Sequence, residues 1–249
     1  MTCHNLEKLK FINLLEIDST NNYIKKNHDN LKNSYPIAVF SKKQTRGRGR
    51  DDRVWYSQSD KGLYCSFGVS IKNINNLNLL SLIIGIAVSE FLSELTGESY
   101  NLKWPNDILF EKKKIAGILI ENIINGENVI SIIGIGVNIN NEINDFPNIL
   151  REKVTSLKMI KNNYYEINKI KKILINHIFK WLEVLEATHI DMIYNKYQEL
   201  TEVFINKKIS FHNKDKIING IYRGIEKNGG IIIEDDMGQK QTFFSGEII

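Results

Sequence analysis

Hydrophobic and polar positions alternate along the chain with two periods, one typical of strands and the other of helices. Alternation over residues 63–71 predicts a half-buried strand, because successive side chains of a strand point to opposite faces. Residues 77–95 are apolar on most faces and predict a buried helix that Gly97 ends. An apolar stripe over residues 166–187 predicts an amphipathic helix, and a shorter helix is predicted around residues 190–200.

Further strands are predicted before and after the buried helix. An extended segment from residue 14 leads into a helix near residues 21–27, with capping residue types at residues 18–20. A short apolar run at residues 37–40 predicts a buried strand. Asn125-Gly126 predicts a hairpin turn between the last two of four closely spaced strands. These four strands are predicted at residues 101–104, 108–111, 115–124 and 129–139.

From about Phe204 the pattern changes to short strand-like pieces separated by glycine-containing turns. About 45 residues of this kind predict a small barrel-like domain. The predicted fold class is therefore α/β of the α+β type, strands and helices followed by a small β-barrel. We expect one domain over residues 1–203 and a second over residues 204–249.

The composition indicates an ordinary globular protein. The chain has 249 residues, of which 42% are hydrophobic and 25% charged, too apolar for a wholly disordered chain. It has no run of about 18 consecutive apolar residues and no apolar leader at its start, so we expect neither a transmembrane helix nor a secretion signal. Cys3 and Cys65 are too few for a disulfide framework or a zinc cluster, and the expected compartment is the cytoplasm.

Arginine is rare in the chain and concentrated in one place. Six arginines stand against 27 lysines, and four of the six fall between Arg46 and Arg53. Arginine offers a planar fork that binds phosphate or carboxylate with two hydrogen bonds, which lysine cannot do. Since the net charge is only +4, this cluster indicates a local anion site rather than a generally basic surface.

The arginine cluster lies in the polar loop Gln-Thr-Arg-Gly-Arg-Gly-Arg, residues 44–50, which is followed by Arg53 and Trp55. Gly47 and Gly49 allow the backbone to approach an anion closely, and Trp55 offers a flat face to a purine. A solvated basic loop and a nucleic-acid-binding arginine–glycine tract remain open as alternatives. The spacing is not that of a Walker phosphate loop.

Three further motifs combine polar groups with room for a ligand. Lys-Trp-Pro-Asn-Asp at residues 103–107 lies between predicted strands and suits either phosphate binding or a simple proline-containing turn. Lys114 enters an apolar strand that contains Gly117, so its ammonium group needs an anionic partner. The run Gly-Ile-Gly-Val-Asn-Ile-Asn at residues 134–140 puts two glycines in a strand, which favours a bulge or a close ligand.

Taken together and in this order, five motifs resemble those of biotin protein ligases over about residues 14–249. Each motif alone is weak to moderate, whereas the ordered set with its spacing is specific. The five are Asp-Ser-Thr-Asn at residues 18–21, the arginine loop, Lys-Trp-Pro-Asn-Asp, Lys-Ile-Ala-Gly-Ile-Leu-Ile-Glu at residues 114–121, and Gly-Ile-Gly-Val-Asn-Ile.

The resemblance implies a catalytic domain like that of class II aminoacyl-tRNA synthetases, with a mixed sheet and helices, and a C-terminal SH3-like barrel. It implies ATP-dependent formation of biotinyl-5′-adenylate, transfer of biotin to a lysine of a biotin carboxyl carrier protein, magnesium with ATP, and no permanently bound cofactor. Some members carry an N-terminal DNA-binding domain. Only 17 residues precede Asp18 here, so we expect the ligase-only type, a monomer or homodimer with no DNA or membrane partner.

The resemblance also implies roles for residues at matching motif positions. The implied catalytic residues are Lys114, Arg48 and Arg50. The implied biotin contacts are Ser19, Thr20, Asn21, Gln44, Gly47, Arg48, Gly49, Lys114, Gly117, Ile118, Gly134 and Ile135. The implied contacts of ATP and the adenylate are Arg50, Arg53, Trp55, Tyr64, Lys103, Asn106, Lys114, Val137 and Asn138. Asp107 is the implied magnesium contact, through the phosphates of ATP.

Two alternatives belong to different classes of protein. A lipoate or octanoate ligase of the same superfamily would share the fold and the acyl-adenylate chemistry, but Gln44 and the Gly-Arg-Gly-Arg loop favour biotin. A non-enzymatic nucleic-acid-binding module would use the basic loop and the small barrel, and the weak net charge argues against it.

The arginine loop departs from the pattern of these ligases at two places. Asp51-Asp52-Arg53 stands where Arg-Gly-Arg is usual, which removes a glycine and adds two negative charges. Arg46 replaces the small residue that is common before Gly47. We expect these changes to alter the mobility of the loop more than the chemistry.

Replacing Asp52 by glycine tests this expectation, because it restores the common residue. In this variant we expect the adenylate to form at the parent's rate and to leave the protein no faster than it leaves the parent. Release of preformed adenylate, followed after rapid dilution, measures the second quantity. A markedly faster release from Asp52→Gly contradicts the expectation.

Overall fold

The computed structural model describes residues 6–31, 34–126, 128–214 and 216–249, so Cys3 lies outside the described residues. Within them a large mixed sheet is followed by a small antiparallel one. The strands of the large sheet are β1 Lys10–Ile17, β2 Ile37–Gln44, β3 Gly62–Ile71, β4 Asn101–Lys103, β5 Asp107–Phe110, β6 Lys113–Asn125 and β7 Asn128–Asn138. The helices are α1 Thr20–Lys26, α2 His28–Leu31, α3 Leu77–Thr96, α4 Leu157–Lys161, α5 Ile167–Glu186 and α6 Ile190–Thr201.

The large sheet has the order β1-β2-β3-β7-β6-β5-β4. β1 runs parallel to β2, and the other neighbouring strands are antiparallel. The predicted mixed sheet is therefore confirmed. The two long strands β6 and β7 form the hairpin predicted at Asn125-Gly126, and Gly126 adopts a positive φ of 60° there.

Helices cover the two faces of the sheet differently. α3 and α5 pack over one face, where Phe67 of β3 meets Phe179 of α5 with ring centroids 6.4 Å apart. The short helix α1 packs on the opposite face through Ile24, which is fully buried against Val39 of β2. Because α1 is short, it covers part of its face and leaves room there for a cavity.

The strand predicted to be half-buried is almost wholly buried. Along β3 the core side chains at alternate positions, among them Phe67, face α3 and α5, while Ser66 and Gly68 face α1 and the chain after it. The predicted strand is present, but the prediction that one of its faces is solvated is wrong. The reason is that the small residues of that face are covered by α1 and by Tyr35, which lies directly over Gly68.

The predicted buried helix is α3, which Gly97 ends with a positive φ of 74°. Its apolar stretch is long enough to cross a membrane, but 72% of that stretch is buried inside the protein. α3 is thus a core helix. Two short helices, α2 and α4, were not predicted, since segments of four and five residues give too short a pattern to be recognised.

The C-terminal sheet is a small antiparallel barrel with the order β11-β10-β9-β8-β12. Its strands are β8 Lys208–Asn213, β9 Lys216–Ile225, β10 Ile231–Glu234, β11 Lys240–Phe243 and β12 Glu247–Ile248. Trp104, which follows β4, joins it to the large sheet: its indole N–H donates to the Gly229 carbonyl at 3.2 Å, and its ring packs on Phe211. This joint holds the barrel beside the end of the large sheet.

The burial of α3 generates a stability prediction. Ile86 is fully buried under the sheet, whereas Ile124 at the end of β6 is 69% exposed. We expect Ile86→Ala to lower the free energy of unfolding by about 2–5 kcal/mol, through lost apolar contact and the cavity left behind. Ile124→Ala, the matched control, should change it by less than about 0.5 kcal/mol. Urea denaturation measures both, and equal effects would show that α3 is not part of the core.

Candidate functional site

A cavity of about 440 Å³ lies on the face of the large sheet that carries α1. Its floor is made by β6 and β7, where Gly117 pairs with Gly136 and Gly134 pairs with Leu119. Side chains directly opposite each other in an antiparallel pair share one face, so these three glycines together leave a shallow trough. The trough explains the two glycines that the sequence places in β7.

Trp55 lies across this floor. A methyl group at Gly136 would come within 2.4 Å of the indole Cε2, and one at Gly117 within 3.0 Å of Cζ3. Glycine is therefore required at 136 for the indole to occupy this position. The indole Nε1 is buried with no hydrogen-bond partner among the described residues, so it is a donor available to a ligand.

One end of the cavity is a buried network of polar side chains at the start of α1. The backbone N–H of Thr20 donates to Oε1 of Gln44 at 2.8 Å, and the Gln44 amide nitrogen donates to the Ser57 hydroxyl at 3.2 Å. The Ser66 hydroxyl, fully buried on β3, donates to Oδ1 of Asn21 at 2.6 Å. Such a connected set offers fixed donors and acceptors to a small polar ring.

The arginine loop folds back on itself above the cavity. Residues 49–53 form a tight turn in which Arg53 N–H donates to the Arg50 carbonyl at 3.1 Å. Asp51 and Asp52 have φ of 52° and 56°, values required at the central residues of a type I′ turn. Aspartate tolerates this conformation, so the turn forms without the usual glycine.

The loop arginines are fastened to different parts of the protein. Arg48 pairs with Glu121 of β6 at 2.5 Å, and its buried Nε has no partner among the described residues. Arg50 donates to the Gly246 carbonyl at 2.9 Å, and Arg53 pairs with Glu247 at 2.6 Å. The last two contacts reach the barrel, so its final strand helps to hold the loop.

Lys114 faces the cavity, as the sequence predicted. Its ammonium group pairs with Asp107 at 2.6 Å and lies 5.5 Å from the centre of the Trp55 ring, beside Gly117. Lys103 lies nearby and lines the same cavity. Burial lowers the pKa of Lys103, and the neighbouring charges of Asp107 and Glu247 oppose this shift. This end of the cavity is therefore cationic and partly desolvated.

Most of the implied site residues line this one cavity. Those that line it are Ser19, Thr20, Asn21, Gln44, Arg48, Gly49, Arg50, Arg53, Trp55, Lys103, Asn106, Asp107, Lys114, Gly117, Ile118, Gly134, Ile135 and Asn138. Gly47, Tyr64 and Val137 do not. Tyr64 and Val137 are buried, and Gly47 packs against the Trp55 carbonyl as part of the loop's own fold.

Two of the residues implied to contact ATP already form hydrogen bonds within the protein. The Asn106 side-chain amide donates to the Ile118 carbonyl at 2.8 Å, and that of Asn138 donates to the Thr155 carbonyl at 3.0 Å. Both residues therefore hold the cavity wall together, and for Asn106 this agrees with the structural interpretation of the Lys-Trp-Pro-Asn-Asp motif. Trp55, implied to contact adenine, covers the glycine floor between Lys114 and β7.

One wall of the cavity was not predicted from the sequence. It is formed by the segment after β7, which includes the 3-10 turn Asn148–Leu150. Its lining residues are Phe146, Leu150, Lys153 and Val154. Val154 pairs with Lys114, whose N–H donates to the Lys153 carbonyl at 2.8 Å. The segment has no motif, and its apolar residues carry no regular period that could have indicated a wall.

Comparisons with known proteins identify the relatives of this chain. Residues 15–138 match the Biotin/lipoate A/B protein ligase family, and residues 204–249 match the Biotin protein ligase C terminal domain. The Bifunctional ligase/repressor BirA of Escherichia coli is 31% identical over 234 residues, which cover 93% of this chain and 71% of that protein. This chain belongs to the biotin protein ligase family.

Other members of the biotin protein ligase family agree in sequence and in fold. The BirA protein of Bacillus subtilis is 32% identical over 228 residues, which cover 87% of this chain and 67% of that protein. The structure of the biotin protein ligase from Aquifex aeolicus in complex with biotin and ATP superimposes with a TM-score of 0.82 at 29% identity, covering 96% of this chain and 97% of that one. The predicted fold, a mixed sheet with helices and an SH3-like C-terminal domain, is thereby confirmed.

The glycine floor of this ligase generates a structural prediction. Gly136→Ala should displace the indole of Trp55, because the new methyl group would lie 2.4 Å from it. We expect a loss of about 1–3 kcal/mol in stability from overpacking, together with stronger acrylamide quenching of tryptophan fluorescence. Trp104 and Trp181 are buried, so the quenching reports on Trp55.

Gly85→Ala in α3 is the matched control, because Gly85 lies on the face of the sheet opposite to Trp55. The new methyl group would lie 3.3 Å from a flexible methyl group of Leu102. It should leave the quenching unchanged. Unchanged quenching in Gly136→Ala would place the indole elsewhere.

Proposed function

We propose that this ligase activates biotin with ATP and transfers it to one lysine of a biotin carboxyl carrier protein. The observation that carries the proposal is the meeting of three groups in one cavity: Lys114, the arginine loop, and the polar network around Thr20 and Gln44. The first two suit a phosphate in reaction, and the third suits a small polar ring.

Biotin fits the shape and polarity of the cavity from one end to the other. Its cyclic urea presents one carbonyl acceptor and two N–H donors, which the Ser19–Asn21 segment and Gln44 can satisfy. Its hydrocarbon chain fits the glycine trough under Trp55, where burial of apolar surface is favourable. Its carboxylate then points to the cationic end near Lys114.

The first step joins biotin to the nucleotide. A carboxylate oxygen of biotin attacks the α-phosphorus of ATP, and the bond from that phosphorus to the pyrophosphate oxygen breaks. Two anions must approach each other, so the main task of the protein is to hold them and to cancel charge. Lys114, Arg48 and Arg50 are the residues we assign to this task, with Asp107 fixing the Lys114 ammonium at 2.6 Å.

In the second step, the amine of the carrier lysine attacks the acyl carbon of biotinyl-5′-adenylate. The bond to the phosphate oxygen breaks, AMP leaves, and an amide forms. A closed cavity protects the mixed anhydride from water until the carrier arrives. The loop fastened by Arg50 and Arg53 to the barrel suits this role, because it covers the cavity from above.

ATP would contact the other implied residues, including Arg53, Lys103, Asn106 and Asn138. Asp107 is the acidic side chain that lines the cavity among the described residues, which hold no cluster of three acidic, histidine or cysteine ligands. This fits magnesium, which proteins commonly hold by one or two carboxylates together with substrate phosphates. When bound there, the ion would offset charge on the pyrophosphate.

The proposal extends to the organisation of the protein. Residues 1–203 would form the catalytic unit and residues 204–249 the barrel that supports its loop. We place the enzyme in the cytoplasm, where ATP and carrier proteins are found, as a monomer or homodimer. The weak net charge of +4 and the pairing of the loop arginines within the protein support a function without DNA.

Biotin-dependent exchange of labelled pyrophosphate into ATP tests the proposal. We expect exchange with biotin and none with lipoate. Lys114→Gln should slow the exchange by about 100- to 1,000-fold, the usual effect of removing one preorganised group that stabilises charge. The neighbouring exposed lysine gives the control, because Lys113→Gln should exchange like the parent.

Exchange with lipoate but not with biotin would show that the enzyme is a lipoate or octanoate ligase instead. A salt-dependent shift of nucleic acid in a gel, with no exchange, would favour the binding module. Equal rates for Lys114→Gln and Lys113→Gln would remove Lys114 from the chemistry.

A further inference from the structure

Glu121 is the acidic residue at the centre of the cavity's polar network, although the motif that contains it gave it no role. Its side chain is 17% exposed and lies on β6, two residues beyond Leu119 at the end of the glycine trough. Three donors converge on the carboxylate: the Asn21 amide at 2.9 Å, the Lys25 ammonium at 3.0 Å and the Arg48 guanidinium at 2.5 Å.

The pair with Arg48 fixes one arginine of the loop. Arg48 uses an Nη2–H to bind Glu121, which leaves its buried Nε without a partner among the described residues. The guanidinium is rigid and planar, so a short bond at one nitrogen limits the directions that its other N–H groups can take. Glu121 thus anchors Arg48 across the cavity's edge and sets how it faces a ligand.

The bond with Asn21 fixes the orientation of an amide. An ionised carboxylate can only accept hydrogen bonds, so Asn21 turns its Nδ2 towards Glu121 and its Oδ1 away, and the Leu119 carbonyl accepts from the same Nδ2 at 3.3 Å. Oδ1 then accepts from Ser66 at 2.6 Å. Oδ1 also lies directly over Gly134, where a methyl group would come within 2.3 Å of it.

The same order continues to Thr20. The Ser66 hydroxyl oxygen lies 2.7 Å from that of Thr20. Because Ser66 donates its one hydrogen to Asn21, its oxygen accepts the hydrogen of the Thr20 hydroxyl. Thr20 then holds Oε1 of Gln44 through its backbone N–H at 2.8 Å. The orientation of each group therefore depends on the next, back to the carboxylate.

Glu121 remains ionised at neutral pH within this network. Burial raises the pKa of its carboxyl group, but hydrogen bonds from Asn21 and Lys25 and the charge of Arg48 outweigh burial and lower it. The carboxylate is thus an acceptor at neutral pH.

We propose that Glu121 is a positioning residue for biotin, which orients the Asn21 amide towards the urea ring and the Arg48 guanidinium towards the reacting carboxylate. The inference rests on the proposed function, since it concerns how the same cavity selects its substrate. Glu121 itself need not touch biotin. It acts through two residues that line the cavity from opposite sides, α1 and the arginine loop.

Glu121→Gln tests the proposal, because it keeps the size of the side chain and removes the charge. Glutamine can present its own N–H groups to Asn21 or Arg48, so both lose their charged acceptor, and Asn21 keeps only the longer bond to the Leu119 carbonyl at 3.3 Å. We expect the dissociation constant for biotin to rise about 10- to 100-fold, as for the loss of hydrogen bonds to a charged group. The KM for ATP should stay within about twofold of the parent value, a split that general damage to the fold would not give.

Lys25→Ala is the matched control. Lys25 is half-exposed and binds the same carboxylate, but it does not line the cavity. This variant should bind biotin like the parent, which shows that the effect belongs to Asn21 and Arg48 rather than to any partner of Glu121. Calorimetry measures biotin binding, and thermal unfolding shows that each variant is folded.

Ser66→Ala provides a second test that leaves Glu121 and its three partners in place. It removes the next link, so biotin binding should weaken about 5- to 10-fold, the size expected for one buried hydrogen bond. The double variant Glu121→Gln with Ser66→Ala should be little worse than Glu121→Gln alone, because both changes act through Asn21.

The outcomes separate the inference from the proposed function. If the parent does not bind biotin, the proposed function is wrong. If the parent binds it and folded Glu121→Gln binds equally well, or weakens biotin and ATP alike, the inference alone is overturned. Should Glu121→Gln not fold, Ser66→Ala decides, and unchanged biotin binding in that variant overturns the inference.

Discussion

The pairing of β6 with β7 is the constraint on which the site depends. It sets Gly117 opposite Gly136 and Gly134 beside them, so three missing side chains coincide on one face of the sheet. A shift of the register by one residue would turn these positions to the α3 side and fill the trough with isoleucine. The long hairpin with its turn at Asn125-Gly126 protects this register, and the core under α3 fixes it from below.

Once the trough exists, other features of the site follow from how it is covered. Trp55 fills part of it, and the loop that carries Trp55 must cross the cavity to place it there. The turn at Asp51 and Asp52 makes the crossing short, with both residues at positive φ. The barrel then secures the outer end through Arg50 and Arg53, which links the position of a separate β-domain to the closure of the site.

Much of the fold and the site could be predicted because the signals were local. Gly97 ended its helix, the glycines of β7 marked the floor, and Lys114 faced inward because an ammonium in an apolar strand needs an anion, which proved to be Asp107. The features that were predicted wrongly or missed depend on contacts between distant parts of the chain. The solvated face assigned to β3 is covered by α1, and the wall at Phe146 and Val154 is set by a chain path that no repeating pattern encodes.

Glu121 shows the same limit for chemistry. Its motif was recognised, but its role depends on Arg48, 73 residues away, and on Asn21, 100 residues away. Spacing along the chain cannot reveal such contacts, whereas the rarity of arginine could at least indicate that the loop arginines have specific partners.

The contacts of those arginines also explain why the net charge of the chain says little about how this site binds a ligand. Arg48 and Arg53 are each paired with a carboxylate, and Arg50 is bound to a backbone carbonyl. Most of their charge is therefore balanced within the protein. What these arginines offer a ligand is N–H groups that point in set directions. The unpaired Nε of Arg48 illustrates this, because its N–H is aimed by contacts at the far end of the same group. A planar fork can be held at one edge while it binds at another, and a lysine in its place would lose that property.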